Sequence, residues 1–237
     1  MNPMSSRVRW WAFVPYVAVT VWHLATLLPG MPASGPAETF SAETISKLLL
    51  MPTLALGVAL SGIALRGARA VLLYAAIVFS WLGDEAGTFF GMLPEIPTMV
   101  GFFALAHVCY IWLFTRHLAQ RRLPWWTLVY AAWWIIMIGV LWPRLGSLAV
   151  PMAVYGLILG AMAATSAATT TLIATGGAVF LLSDSLLAFQ LFPPTPLGAA
   201  SDVAVMTAYC LGQLLIAVGV LRAPVRNHAP DPAPAAA

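Results

Sequence analysis

Charge is what this sequence lacks. Only 8% of its 237 residues are Asp, Glu, Lys or Arg, where a soluble domain carries about 25%. That scarcity excludes a water-soluble globule, because nothing polar is left to cover an interior drawn from a chain that is 61% hydrophobic. Cysteine is nearly as scarce. Cys109 and Cys210 stand in separate apolar runs, make neither a disulfide framework nor a zinc motif, and read as small buried hydrophobes. The short alternating segments of a membrane barrel are missing too. The solvent for most of this chain is therefore lipid.

What is present is a series of apolar runs of helical length. About 20 apolar residues span a bilayer, and only helices or closed barrels satisfy the backbone there. Helices are expected at 10–28, 45–66, 69–91, 98–118, 125–142, 146–166, 170–192 and 200–221, an all-α membrane bundle of about eight transmembrane helices. Breaks fall at Pro29 to Pro36, at Pro94 and Pro97 around Glu95, at Pro143, Arg144 and Gly146, and at Pro193-Pro194-Thr195-Pro196. Residues 1–222 are expected to form one transmembrane domain. Residues 223–237, rich in Pro and Ala, are expected to be a disordered cytoplasmic tail. The first run follows Arg7 and Arg9 and approaches small residues near Ala33, the outline of a secretory signal. At about 19 apolar residues, with His23 inside it, it exceeds a signal core and is expected to be a retained first helix.

Basic residues orient the bundle. With the N-terminus inside, Arg7, Arg9, Arg66, Arg69, Arg116, Arg121, Arg122, Arg222 and Arg226 fall on cytoplasmic loops, and only Lys47 and Arg144 fall outside. Both termini are then cytoplasmic. The expected location is the inner membrane of a bacterium. The net charge of +3 is accounted for by topology and calls for no nucleic-acid partner.

Ionisable groups inside a bilayer cost about 2.5–3.5 kcal/mol each at the helix centre on insertion scales, so those that occur point to function. Asp84 follows Phe79-Ser80-Trp81-Leu82-Gly83. Ser80 and Thr88 lie four residues to either side, on one helix face, and Gly83 admits a neighbouring helix. Asp184 follows Gly176-Gly177-Ala178-Val179-Phe180-Leu181-Leu182-Ser183, with Gly177 and Phe180 on its face. His107 has Tyr110 three residues on, close enough to cooperate, and Tyr209 and Gln213 form an i, i+4 pair. Plainer roles compete: an Asp bridging helices, a His bonded to a backbone carbonyl, polar helix glue, or Lys47 snorkelling to the outer surface. Glu85 points about 100° away from Asp84 and reads as headgroup-facing.

Depth unites these residues. The positive-inside topology, which makes no use of them, places Lys47, Asp84, His107, Asp184 and Tyr209 in the non-cytoplasmic half. A faint parallel repeat accompanies this: an Asp element in helix three precedes Ala106-His107, and Ser183-Asp184 in helix seven precedes Ala208-Tyr209.

Six pieces in order carry a family likeness. They are Lys47 with Met51-Pro52; Phe79 to Asp84; Phe103, Ala106-His107 and Tyr110; Tyr155 and Met162; Gly177 to Phe180 with Ser183-Asp184, Leu187-Ala188 and Phe192; and Tyr209 with Gln213 to Ile216 and Gly219. Between Lys47 and Gly219 the chain resembles the YhhN-type, lysoplasmalogenase-like membrane protein family. It departs from the pattern at Leu48, where Pro follows the Lys, and at Gly87, where a large apolar residue stands.

The resemblance implies hydrolysis of the vinyl-ether bond of lysoplasmalogens to a fatty aldehyde and a glycerophospho-base, with a lysophospholipid as substrate. Such cleavage needs a neutral acid to protonate the alkenyl carbon and a carboxylate to stabilise the oxocarbenium ion and activate water, the division of labour of paired carboxylates in glycoside hydrolysis. Asp84, Asp184 and His107 are the expected catalytic residues. Asp184, flanked by longer apolar stretches, is the expected acid. Lys47, Ser80, Tyr110, Tyr209 and Gln213 are expected to bind substrate. No metal and no cofactor is expected. The same Asp and His residues would serve a proton-coupled transporter or lipid flippase as a relay. Paired intramembrane Asp residues also occur in aspartyl proteases, but Trp81-Leu82-Gly83 precedes Asp84 in place of Gly-x-Gly.

Overall fold

The computed structural model describes residues 8–28, 41–118, 121–193 and 200–224. Within them stand eight long helices and no strand: α1 Val14–Thr26, α2 Ala42–Leu60, α3 Ala68–Asp84, α4 Glu95–Trp112, α5 Leu128–Leu145, α6 Ala149–Ala167, α7 Thr171–Leu191 and α8 Ala200–Arg222. Five stretches are long and apolar enough to cross a membrane: Ala42–Leu60, Glu95–His117, Trp125–Ala167, Thr171–Leu191 and Ala200–Arg222. The third of these contains both α5 and α6. α1 and α3, at 13 and 17 residues, are shorter. The outer faces carry exposed Val71, Leu128, Ile135, Val150 and Leu157, as a lipid-facing surface requires. The chain is an integral membrane protein. The loop from Pro29 to Pro36, the Pro194-Thr195-Pro196 stretch, Arg7, Arg226 and the tail from 225 lie outside the described residues.

Helix α7 packs most extensively on α8, and α3 on α4. Without a hydrophobic driving force between helices in lipid, such contacts depend on close backbone approach. Gly176 and Gly212 supply it. A Cβ on Gly176 would stand 2.9 Å from the Ile216 backbone nitrogen, and one on Gly212 3.0 Å from that of Phe180. Gly83 behaves as expected, since its missing Cβ leaves room for the Phe103 ring of α4. At the opposite end of the bundle Arg69 donates to the Val220 carbonyl at 2.9 Å, capping the end of α8 with a cation.

Two boundaries differ from expectation in ways that matter. The helix expected at 69–91 stops at Asp84; a separate turn follows over Ala86–Phe89. Thr88 is exposed and does not continue the Ser80–Asp84 face. The departure at Gly87 has a local cause: a Cβ there would meet the Glu95 carboxylate at 3.0 Å. Pro143 and Arg144 do not form a turn but lie inside α5, which ends where Gly146 takes φ +53°, a conformation that glycine adopts freely. Glu85 is the third correction. It is buried, 1% exposed, with Oε1 unpaired, where a headgroup-facing side chain was expected.

Candidate active site

The end of the bundle where α1, α3, α5 and α7 finish collects the intramembrane polar residues. Asp184 sits two turns before the end of α7. Its Oδ2 accepts a hydrogen bond from the Tyr155 hydroxyl of α6 and lies 3.4 Å from His107 Nε2 of α4. The His107 ring also approaches the Tyr155 hydroxyl at 3.2 Å. His107 Nδ1 is buried without a partner. Both contacts fall on Oδ2 of Asp184.

Asp84 belongs to a different group. As the last residue of α3, it accepts at Oδ2 from the Tyr209 hydroxyl of α8 at 2.6 Å. Tyr209 packs edge-on to Phe103 and Phe180, with centroids 5.9 and 5.4 Å apart. Phe180 in turn packs on His107 at 4.9 Å. The faint repeat acquires a geometric meaning here. Each Asp bonds not to its counterpart within its own half but across: Asp84 to Tyr209, and Asp184 to His107.

Ser80, Tyr110 and Gln213 form a third group. The Tyr110 hydroxyl donates to Gln213 Oε1 at 2.6 Å, and Gln213 Nε2 donates to Ser80 Oγ at 2.9 Å. All three residues are fully buried, satisfy one another, and line neither of the two cavities at this end. Their bonds tie α3, α4 and α8 together. Tyr110 thus turns to Gln213 and away from His107, its expected partner.

The first cavity is an apolar cleft with an empty volume of about 620 Å³ between α4, α5, α6 and α7. Met99, Phe103, Trp133, Met137, Leu141 and Leu191 form much of its wall, and Asp184 and Tyr155 supply its polar atoms. Trp133 is held in place by a 3.0 Å bond from its indole nitrogen to Ser185 Oγ. The second cavity is a polar mouth of about 850 Å³, walled by His23, Glu43, Lys47, Gln190 and Asp202 among others. Leu187 lines both, one turn beyond Asp184. Among the described residues Lys47 makes no hydrogen bond or ion pair. The neighbouring His23 is bonded through Nδ1 to Ser46 at 3.0 Å. Trp81 fixes the backbone next to Lys47 by donating to the Leu48 carbonyl at 2.9 Å.

The structure therefore brings Asp184 and His107 together, bonds Asp84 to Tyr209, and sets Lys47 in the mouth. Tyr155 was not among the expected site residues, although a lone tyrosine in an apolar helix was a visible signal. Glu43 and Asp202 were hidden by their ordinary places in the first turns of α2 and α8, where acids complement the helix dipole. Among the described residues no group of three or more His, Cys, Asp or Glu is arranged to hold a metal ion.

A curated human protein, lysoplasmalogenase TMEM86B, is 34% identical over 160 residues, which cover 67% of each chain. No solved structure matches. The YhhN family matches residues 42–220, a span that holds every residue of the three hydrogen-bonded groups, and the chain belongs to that family.

Proposed function

We propose that this protein hydrolyses the vinyl-ether bond of lysoplasmalogens, giving a fatty aldehyde and a glycerophospho-base. One observation carries the reading: a carboxyl group held on one oxygen by a tyrosine and a histidine lines an apolar cleft, and Leu187, one turn further along the same helix, lines both that cleft and the polar mouth. An amphiphile laid through that junction puts its chain in the cleft, its headgroup in the mouth and the intervening ether beside Asp184. The relative's printed name, lysoplasmalogenase, supports the same substrate class.

The chemistry follows from the atoms available. Asp184 gives its proton to the alkenyl carbon one removed from the ether oxygen, on the tail side, which suits an acid in the apolar cleft. The C=C electron pair forms the new C–H bond, and positive charge develops on the ether-bearing carbon and oxygen. The Asp84 carboxylate, held by Tyr209, supplies the counter-charge and takes a proton from the attacking water. The hemiacetal then collapses: its hydroxyl proton leaves, the glycerol oxygen departs protonated, and the aldehyde forms. One proton passed from Asp84 back to Asp184 restores the start. Tyr155 and His107 hold Asp184 Oδ2 so that Oδ1 faces the substrate.

A transporter would need access from both membrane faces, and the described residues that line the cleft and the mouth lie at one end of the bundle. The deciding experiment is incubation of the purified protein with lysoplasmenyl-ethanolamine and detection of aldehyde. Stoichiometric aldehyde and glycerophosphoethanolamine are expected. Intact substrate after prolonged incubation with folded protein would remove this reading.

A further inference from the structure

The polar mouth holds more charge than Lys47 alone. Glu43 and Asp202 face it from the first turns of α2 and α8, and Gln190 donates to Asp202 Oδ1 at 2.9 Å, fixing that carboxylate from the end of α7. Among the described residues neither acid is in an ion pair with Lys47 or any other cation. Complementing a helix dipole would account for each acid separately. It does not account for their sharing a cavity with Lys47, nor for Leu187 lining both that cavity and the apolar cleft.

We infer that this mouth is a subsite for a zwitterionic lipid headgroup ending in a primary ammonium, with Lys47 taking the phosphate and Glu43 and Asp202 the ammonium. The inference rests on the hydrolase reading and adds which headgroup is preferred. Helix α7 measures the ligand. At 1.5 Å rise per residue, Leu187 lies about 4.5 Å and Gln190 about 9 Å beyond Asp184. A lysophospholipid presents its groups in the same order: ether, three-carbon glycerol, phosphate, then amine two carbons further. The choice between amines follows from the walls. Quaternary ammonium groups are recognised by aromatic faces, and no Trp, Tyr or Phe is among the described residues of the mouth. A primary ammonium has three N–H donors to give, and two carboxylates are there to accept them.

The test has two arms. In the first, non-hydrolysable saturated-ether lysophospholipids with ethanolamine or choline headgroups are titrated into the purified protein in detergent. Wild type should bind the ethanolamine lipid about tenfold more tightly, the worth of one charge-assisted hydrogen bond. The Glu43→Gln/Asp202→Asn double variant should bind the two within about twofold of each other. Should the double variant fail to fold, Asp202→Asn alone, at an exposed position, carries the same comparison. Equal binding by wild type, a preference for choline, or a preference that survives the substitutions would overturn the subsite. In the second arm the vinyl-ether forms of both lipids are assayed for aldehyde. Headgroup preference in binding with no aldehyde from either lipid would leave the subsite standing and refute the hydrolase reading. Aldehyde from both lipids at equal kcat/KM, with equal binding, would do the reverse.

Discussion

Asp84 and Asp184 occupy matching places, each near the end of a helix that runs toward the same face of the bundle, yet their surroundings differ. Helix α3 stops at Asp84. Helix α7 continues for two turns past Asp184, and those turns supply Leu187, Ala188 and Leu191 to the cleft wall. Asp84 has one tyrosine donor, whose ring packs on Phe103 and Phe180. Asp184 has a tyrosine and a histidine on one oxygen and opens to the cleft. Two copies of the same side chain are thereby given different access. The one touching the apolar chamber is suited to meeting the alkenyl carbon, and the other to acting through charge and through Tyr209.

The largest effects should come from removing either proton chemistry while keeping shape. Asp184→Asn and Asp84→Asn should each lower aldehyde release about 10²–10⁴-fold, the usual worth of a positioned acid or base, with the greater loss at Asp184. Melting temperature in detergent should stay near wild type. Both variants should still bind a saturated-ether analogue, because binding depends on tail and headgroup. Near-normal turnover in Asp184→Asn with loss in Asp84→Asn would reverse the assignment.

Next in size are the two tyrosines. Tyr155→Phe removes the donor on Asp184, and Tyr209→Phe the donor on Asp84. Tyr209 donates to a carboxylate, where a hydrogen bond contributes about 1.5–3 kcal/mol, so Tyr209→Phe should lower kcat about 10- to 100-fold; Tyr155 donates to a neutral acid, where about 0.5–1.5 kcal/mol makes the loss about 2- to 10-fold. Carbon protonation adds a signature that separates them. If proton transfer from Asp184 limits the rate, wild type is slower in deuterated water. Tyr155→Phe, which disturbs the acid, should change that isotope effect more than Tyr209→Phe. An equal change in both would dissolve the distinction between the two neighbourhoods. Lys47→Met should act chiefly on KM, raising it about tenfold, as loss of a phosphate contact does. An unchanged KM with intact folding would take Lys47 out of substrate binding.

The sequence made some of this legible and hid the rest for physical reasons. Apolar run length located all eight long helices, because lipid leaves the backbone no alternative. It missed the break at Asp84, because Gly87, Phe89 and Phe90 keep hydropathy high through a change in backbone direction. It misplaced the end of α5, because Pro143 looks like a stop signal while its ring is tolerated within a membrane helix. Asp84, Asp184 and His107 stood out because charge in lipid is rare and costly. Which of the polar residues would pair did not. Pairing across the two halves depends on how the α3–α4 and α7–α8 pairs dock, and no local pattern records that. Glu43 and Asp202 show the opposite difficulty: their positions have an ordinary explanation, and only the cavity they share sets them apart.

The smallest expected effect concerns residues that chemistry alone would have placed in the site. Ser80, Tyr110 and Gln213 are polar and intramembrane, so substrate binding was the natural expectation for them. Their side chains instead satisfy one another at zero exposure, away from both cavities. A group with no open face to substrate acts through packing. Gln213→Leu keeps approximate volume and leaves the Tyr110 hydroxyl without its acceptor. Hydrogen bonds between membrane helices contribute about 0.6 kcal/mol on average and about 1.7 at most. Loss of two such bonds should destabilise the bundle by about 1–3 kcal/mol, read as a lower melting temperature in detergent, while KM for lysoplasmenyl-ethanolamine stays within about twofold of wild type. The paired variant Ser80→Ala/Gln213→Leu should cost less than the sum of its single substitutions, because the second change removes a partner the first has already stranded. A large rise in KM with unchanged stability would return Gln213 to the substrate and show that the third group, too, belongs to the chemistry.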